Sequence, residues 1–92
     1  MKSLTDLRGE IDALDRELTR LLVRRFALTD QVAEAKRATV KPVLDSSRES
    51  AVLDSVAAVA GPDLASEVRT LYVRLFELSR ARQERLLSGE KA

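Results

Sequence analysis

The chain has 92 residues, enough for one small domain, and its 45% hydrophobic and 34% charged side chains suit a folding chain rather than a disordered one. Sixteen basic and fifteen acidic side chains leave a net charge of +1, which excludes charge-driven attraction to nucleic acid or to an anionic membrane. Cysteine and histidine are both absent, and with them any disulfide, thiol nucleophile, zinc–thiolate site or Ser-His-Asp triad. The aromatic residues Phe26, Tyr72 and Phe76 are too few to stack nucleic-acid bases. No apolar run approaches the ~20 residues of a membrane span, and Met1-Lys2-Ser3 opens into an amphipathic pattern, so a cytoplasmic protein is expected.

Apolar residues fall first at Leu4, Leu7, Ile11, Leu14, Leu18 and Leu21, then at Leu28, Val32 and Ala35. The alternation of three and four predicts a helix with one narrow buried seam, running from about Leu4 to Arg37. Arg25 occupies the seam position between Leu21 and Leu28. Residues Ala38 to Leu44, with β-branched side chains and Pro42, are predicted as a loop. A second helix starts at Asp45 or Ser46, either of which suits the N-cap, and Ser46 with Glu49 has the spacing of a capping box. Val52, Leu53, Val56 and Val59 are its predicted buried face, and Gly61-Pro62 stops it. Asp63 is the expected cap of a third helix, whose stripe runs through Leu64, Val68, Leu71, Tyr72, Leu75, Phe76 and Leu86 before fraying near Ser88-Gly89. There is no strand signal. The predicted fold class is all-α, three helices per chain in one domain over residues 1–92.

A first helix of this length measures ~50 Å, whereas a compact chain of this size has a radius of gyration near ~12 Å. Two shorter helices cannot cover such a rod. The expected solution is a second copy of the chain, in a homodimer of interlocked long helices.

Several residues break the apolar pattern. A guanidinium in the seam costs several kcal/mol to bury unpaired, so Arg25 is a structural salt bridge, a register-setting charge at a dimer seam, or a bidentate anchor for a ligand carboxylate. Thr29, Val32 and Lys36 follow at spacings of four, three and four and share its face; Lys36 also sits where the helix dipole favours a cation. Arg8 lies 17 residues before Arg25, or ~25 Å along a rigid helix. One small ligand cannot bridge that gap within a protomer, but two first helices crossing antiparallel near residues 16 and 17 bring Arg8 of one chain to Arg25 of the other. On the third helix Ser79 and Gln83 continue the apolar stripe, and such groups need partners, either internal or in a cavity between helices. Asp45, Arg48 and Glu49 suit helix capping and solvation as well as ligand binding.

The segments Leu7-Arg8-Gly9-Glu10-Ile11-Asp12-Ala13-Leu14-Asp15, Leu21-Leu22-Val23-Arg24-Arg25 and Val32-Ala33-Glu34-Ala35-Lys36 resemble the first helix of the all-helical chorismate mutases. Pro42 to Glu49 resembles that family's loop and second-helix start, and Phe76 to Gln83 its third-helix signature. Five ordered segments across nearly the whole chain carry the resemblance. It implies rearrangement of chorismate to prephenate on the route to phenylalanine and tyrosine, a unimolecular pericyclic shift needing no nucleophile, metal or cofactor. It further implies that Arg25, and Arg8 from the partner chain, grip the two substrate carboxylates, with Arg48 and Ser79 assisting. By the same resemblance Lys36 and Gln83 donate to the ether oxygen, Glu49 accepts the ring hydroxyl with Asp45 nearby, and Val32 lines the ring.

Two other functions compete with it. One is a non-catalytic helical dimerisation module with Arg25 as a buried registry charge. The other is an isochorismate pyruvate-lyase of the same fold, against which the intact Asp45-Ser46-Ser47-Arg48-Glu49 run argues. Nucleic-acid binding is further off, because acidic residues intersperse the arginines and no basic face emerges. Gly9, which costs up to ~1 kcal/mol in a helix, marks either a close crossing or a later helix start.

Overall fold

The computed structural model describes residues 1–89. Three helices make up the fold: α1 over Leu4–Thr39, α2 over Ser46–Ala60 and α3 over Ala65–Ser88, with no strand among the described residues. The all-helical class and the three-helix order match the periodicity. α1 starts at a full capping box, in which Ser3 accepts from the Asp6 backbone N–H and the Asp6 carboxylate accepts from that of Ser3. Its start at Leu4 rules out the later start that Gly9 suggested, and within the protomer a Cβ on Gly9 would meet nothing within 4 Å.

α1 also runs two residues beyond the expected Arg37. Its C-cap is Val40, whose φ of 58° is left-handed and strained for a β-branched residue. The Lys41 N–H reaches back to the Lys36 carbonyl at 3.0 Å, the long bond of a Schellman turn. That turn folds the 40–45 connection back so that Val43 becomes buried.

Two capping expectations are corrected. Asp45, one of the two expected N-caps, does cap α2, accepting from the Arg48 N–H at 3.0 Å, but Glu49 turns away from the backbone to reach Arg80. The Ser46–Glu49 box does not form, because the guanidinium offers Glu49 a charged partner in place of a neutral amide. Asp63 does not cap α3: it lies in the turn Pro62–Leu64, one residue too early, and Leu64 holds the N-cap position with no side-chain bond. Gly61 adopts φ 86°, as the abrupt exit from α2 requires.

α3 packs against both α1 and α2, while α1 and α2 are not packed on one another. Bidentate contacts from Arg82 to Asp30, at 2.8 and 2.9 Å, and a 2.9 Å bond from Arg37 to the Leu86 carbonyl join α3 to α1. The hydrogen bond from Arg82 holds the Asp30 carboxyl below the usual carboxylate range, against a smaller opposing push from burial. Arg69 meets Asp54 at 3.2 Å across the α2–α3 contact. Buried apolar side chains are few: Ala33, Val43, Ala57 and Phe76. Val59 is exposed and so is not part of the buried face of α2; Ala57 and Ala60 turn inward instead, since a single partner helix covers only a narrow stripe. Leu64 and Leu71 likewise lie outside the buried stripe of α3.

Among the described residues, every position of α1 from Leu4 to Leu21 is exposed. Leu7, Ile11, Leu14, Leu18 and Leu21 stand 44–63% exposed along one seam. The chain measures 56 × 30 × 15 Å with a radius of gyration of 16.4 Å, well above the ~12 Å of a compact chain this long.

Candidate active site

Because α1 and α2 touch α3 but not each other, a cavity of about 340 Å3 opens between them. This volume is at the low end of small-ligand pockets, ~300–1,000 Å3. α1 contributes Arg25, Leu28, Thr29, Val32 and Lys36, the residues that four-and-three spacing puts on one face. The turned-back loop contributes Val43, the first turn of α2 adds Asp45, Arg48 and Glu49, and Val52 follows one turn later. From α3 come Phe76, Ser79, Arg80 and Gln83.

Arg25 makes no ion pair among the described residues. Its guanidinium carbon lies 5.6 Å from the Tyr72 ring centroid and 5.7 Å from that of Phe76, and the two rings meet edge to face. The aromatic faces hold the cation without consuming its donors. An intrachain salt bridge, one of the three readings of Arg25, is thereby removed. Lys36 donates to the Val43 carbonyl at 2.6 Å, which fixes its ammonium and leaves two of its three protons for a ligand.

Ser79 and Gln83 are only 4% and 6% exposed. The Gln83 Nε2 donates to Ser79 Oγ at 3.3 Å, and Gln83 Oε1 is buried without a partner among the described residues. An orphaned buried amide end costs about 1–3 kcal/mol. Rotating the amide by 180° lets the Ser79 hydroxyl donate to oxygen and presents the NH2 group to an incoming acceptor. Glu49 is held by Arg80, Nη1 lying 2.6 Å from Oε1, and Asp45 remains committed to its cap. The cavity thus carries four cations, Arg25, Lys36, Arg48 and Arg80, against two carboxylates.

Of the residues singled out in the sequence, Arg25, Val32, Lys36, Asp45, Arg48, Glu49, Ser79 and Gln83 line this one cavity. Arg8 does not: it is exposed on the continuous α1, 17 residues from Arg25. Arg80 was missed. It stands four residues after Phe76 and three before Gln83, so spacing admits it to the stripe, but nothing distinguishes it from Arg82 and Arg85 beside it. Val43 and Phe76 were not foreseen as cavity walls either.

The arrangement defines an all-helical fold with a small cavity in which four cationic side chains outnumber two carboxylates. The chain belongs to the chorismate mutase type II family, whose sequence profile matches residues 7–84. It is 44% identical over 55 residues, 60% of the chain, to the T-protein of Haemophilus influenzae. It is 43% identical over 53 residues, 58% of the chain, to a protein of Enterobacter agglomerans named bifunctional chorismate mutase/prephenate dehydratase. The chain spans about one seventh of the length of these curated relatives, 15% and 14% respectively. No solved structure matches it significantly. Among the described residues no helix is long and apolar enough to cross a membrane.

Proposed function

We propose that this domain converts chorismate to prephenate, working as a homodimer. The observation that carries the proposal is the cavity itself: among the described residues Arg25 has no ion pair, Lys36 is fixed by a carbonyl, and the buried Gln83 amide has one end unsatisfied. The reaction is a unimolecular pericyclic shift, so the protein has two tasks. It must hold the substrate in its compact reactive conformer, and it must stabilise charge as the ether bond breaks. Arg25 grips one substrate carboxylate, with Arg48 and Ser79 assisting. Lys36 and Gln83 donate to the ether oxygen, where negative charge develops. Glu49 accepts the ring hydroxyl, Asp45 flanks it, and Val32 packs on the ring.

The second carboxylate grip comes from Arg8 of the partner subunit. The half-exposed leucine seam of α1 supports this, since a two-fold copy crossing near residues 16 and 17 covers it and carries Arg8 to the neighbouring cavity. Product analysis by proton NMR with chorismate and with isochorismate tests the assignment. Prephenate from chorismate is expected. Pyruvate released from isochorismate, with chorismate untouched, would reassign the cavity to a lyase.

A further inference from the structure

We infer that Arg80 is a positioning residue, which holds and neutralises the Glu49 carboxylate so that the remaining cations of the cavity are free for a dianionic substrate. This rests on the mutase assignment above. Glu49 sits in the first turn of α2, where a carboxylate ordinarily serves the helix N-terminus, yet it crosses to α3. A single Arg80 nitrogen, Nη1, bonds both carboxylate oxygens. The two side chains are 30% and 24% exposed, so water screens this pair less than a surface ion pair.

Position gives the pair its consequence. Lys36 and Arg48 line the same cavity. Without Arg80, the Glu49 carboxylate would be an unpaired anion facing those cations, and it would compete with substrate carboxylates for them. Arg80 also ties the first turn of α2 to α3 at the cavity, where α1 and α2 have no packing of their own. Its effect passes through Glu49, which separates it from a direct grip on substrate.

A double-mutant cycle of Arg80→Gln and Glu49→Gln on chorismate turnover tests this, with helicity and dimer content checked for each variant. Arg80→Gln is expected to raise KM about tenfold while changing kcat less than about threefold. In the Glu49→Gln background the same change should alter KM by less than about twofold, because no carboxylate is left to misdirect. Arg80→Lys should retain most of the wild-type KM. If Arg80→Gln does not fold, Glu49→Gln decides the matter beside Arg80→Lys, any KM rise from the lysine having to vanish in the Glu49→Gln background. An equal KM penalty in both backgrounds would mean that Arg80 holds substrate itself. A wild-type KM in Arg80→Gln would make the pair idle, and a loss confined to kcat would place Arg80 in the chemical step. Each of these overturns the proposal. A wild type with no turnover would sink the mutase assignment and this proposal together.

Discussion

Mixing two inactive variants should restore activity, and by a calculable amount. α1 is continuous from Leu4 to Thr39, so Arg8 and Arg25 are held ~25 Å apart within a chain, too far to meet in a cavity of about 340 Å3. If each cavity takes Arg25 from one protomer and Arg8 from the other, Arg8→Ala and Arg25→Ala homodimers each lack one carboxylate grip in both sites. Truncating one arginine of a desolvated arginine–carboxylate contact costs about 3 kcal/mol, on the order of 100-fold in kcat/KM. Equal amounts unfolded together and refolded give about half heterodimers by random pairing. In a heterodimer one cavity receives both mutations and the other receives neither. The mixture should therefore recover about one quarter of wild-type activity, from parents near one per cent. A refolded mixture no more active than the mean of its parents would refute the shared cavity.

Gln83→Glu should turn a flat profile into a falling one: the amide donates at any pH, so wild-type kcat should change little from pH 6 to 8, whereas a glutamate donates only when protonated and loses rate as pH rises. A steep alkaline fall in the wild type over that range would contradict the role given to Gln83. Leu18→Glu sets a carboxylate into the half-exposed seam of α1 twice per dimer, and light scattering should show dimer affinity weakened by at least about 1,000-fold; an unchanged dimer would move the interface elsewhere. The Asp30 carboxyl has its pKa depressed in the folded chain by Arg82. Its stabilising contribution is therefore complete above the unfolded value of ~3.9 and is lost as pH falls through the lower folded value. Asp30→Asn should melt below wild type at pH 7, and the difference should close in acid; a gap that widens in acid would reverse the sign.

Regular helical spacing was legible in the sequence, whereas turn geometry and tertiary pairing were not. Helix order followed from local spacing and from Gly61-Pro62, whose backbone demands are the same in any fold. Arg25 drew attention by breaking a seam, and Ser79 and Gln83 by being uncharged polar groups on an apolar stripe. All three line the cavity because side-chain direction on a helix is fixed by position. Capping was less readable. Asp45, Ser46 and Asp63 were all chemically able to cap, and the choice depended on where the turn placed each backbone N–H. Glu49 took a partner 31 residues away, and no local rule selects Arg80 from a run with Arg82 and Arg85. Val43 reads as loop, yet it is buried and anchors Lys36, because the left-handed Val40 turn reverses the chain there. Of these misses only Glu49–Arg80 is a long-range pairing; the caps and the Val43 contact were set by turns whose backbone geometry the residue types did not specify.

The central claim is that this cavity rearranges chorismate with Arg25 as its main carboxylate anchor. Its most direct test is to incubate the purified protein with chorismate, identify products by NMR, and run Arg25→Ala alongside with its oligomeric state checked. Prephenate from the wild type, with turnover reduced on the order of 100-fold in a variant that is still dimeric, is the result expected. No loss of chorismate at high protein concentration, or an Arg25→Ala variant as active as the wild type, would contradict it.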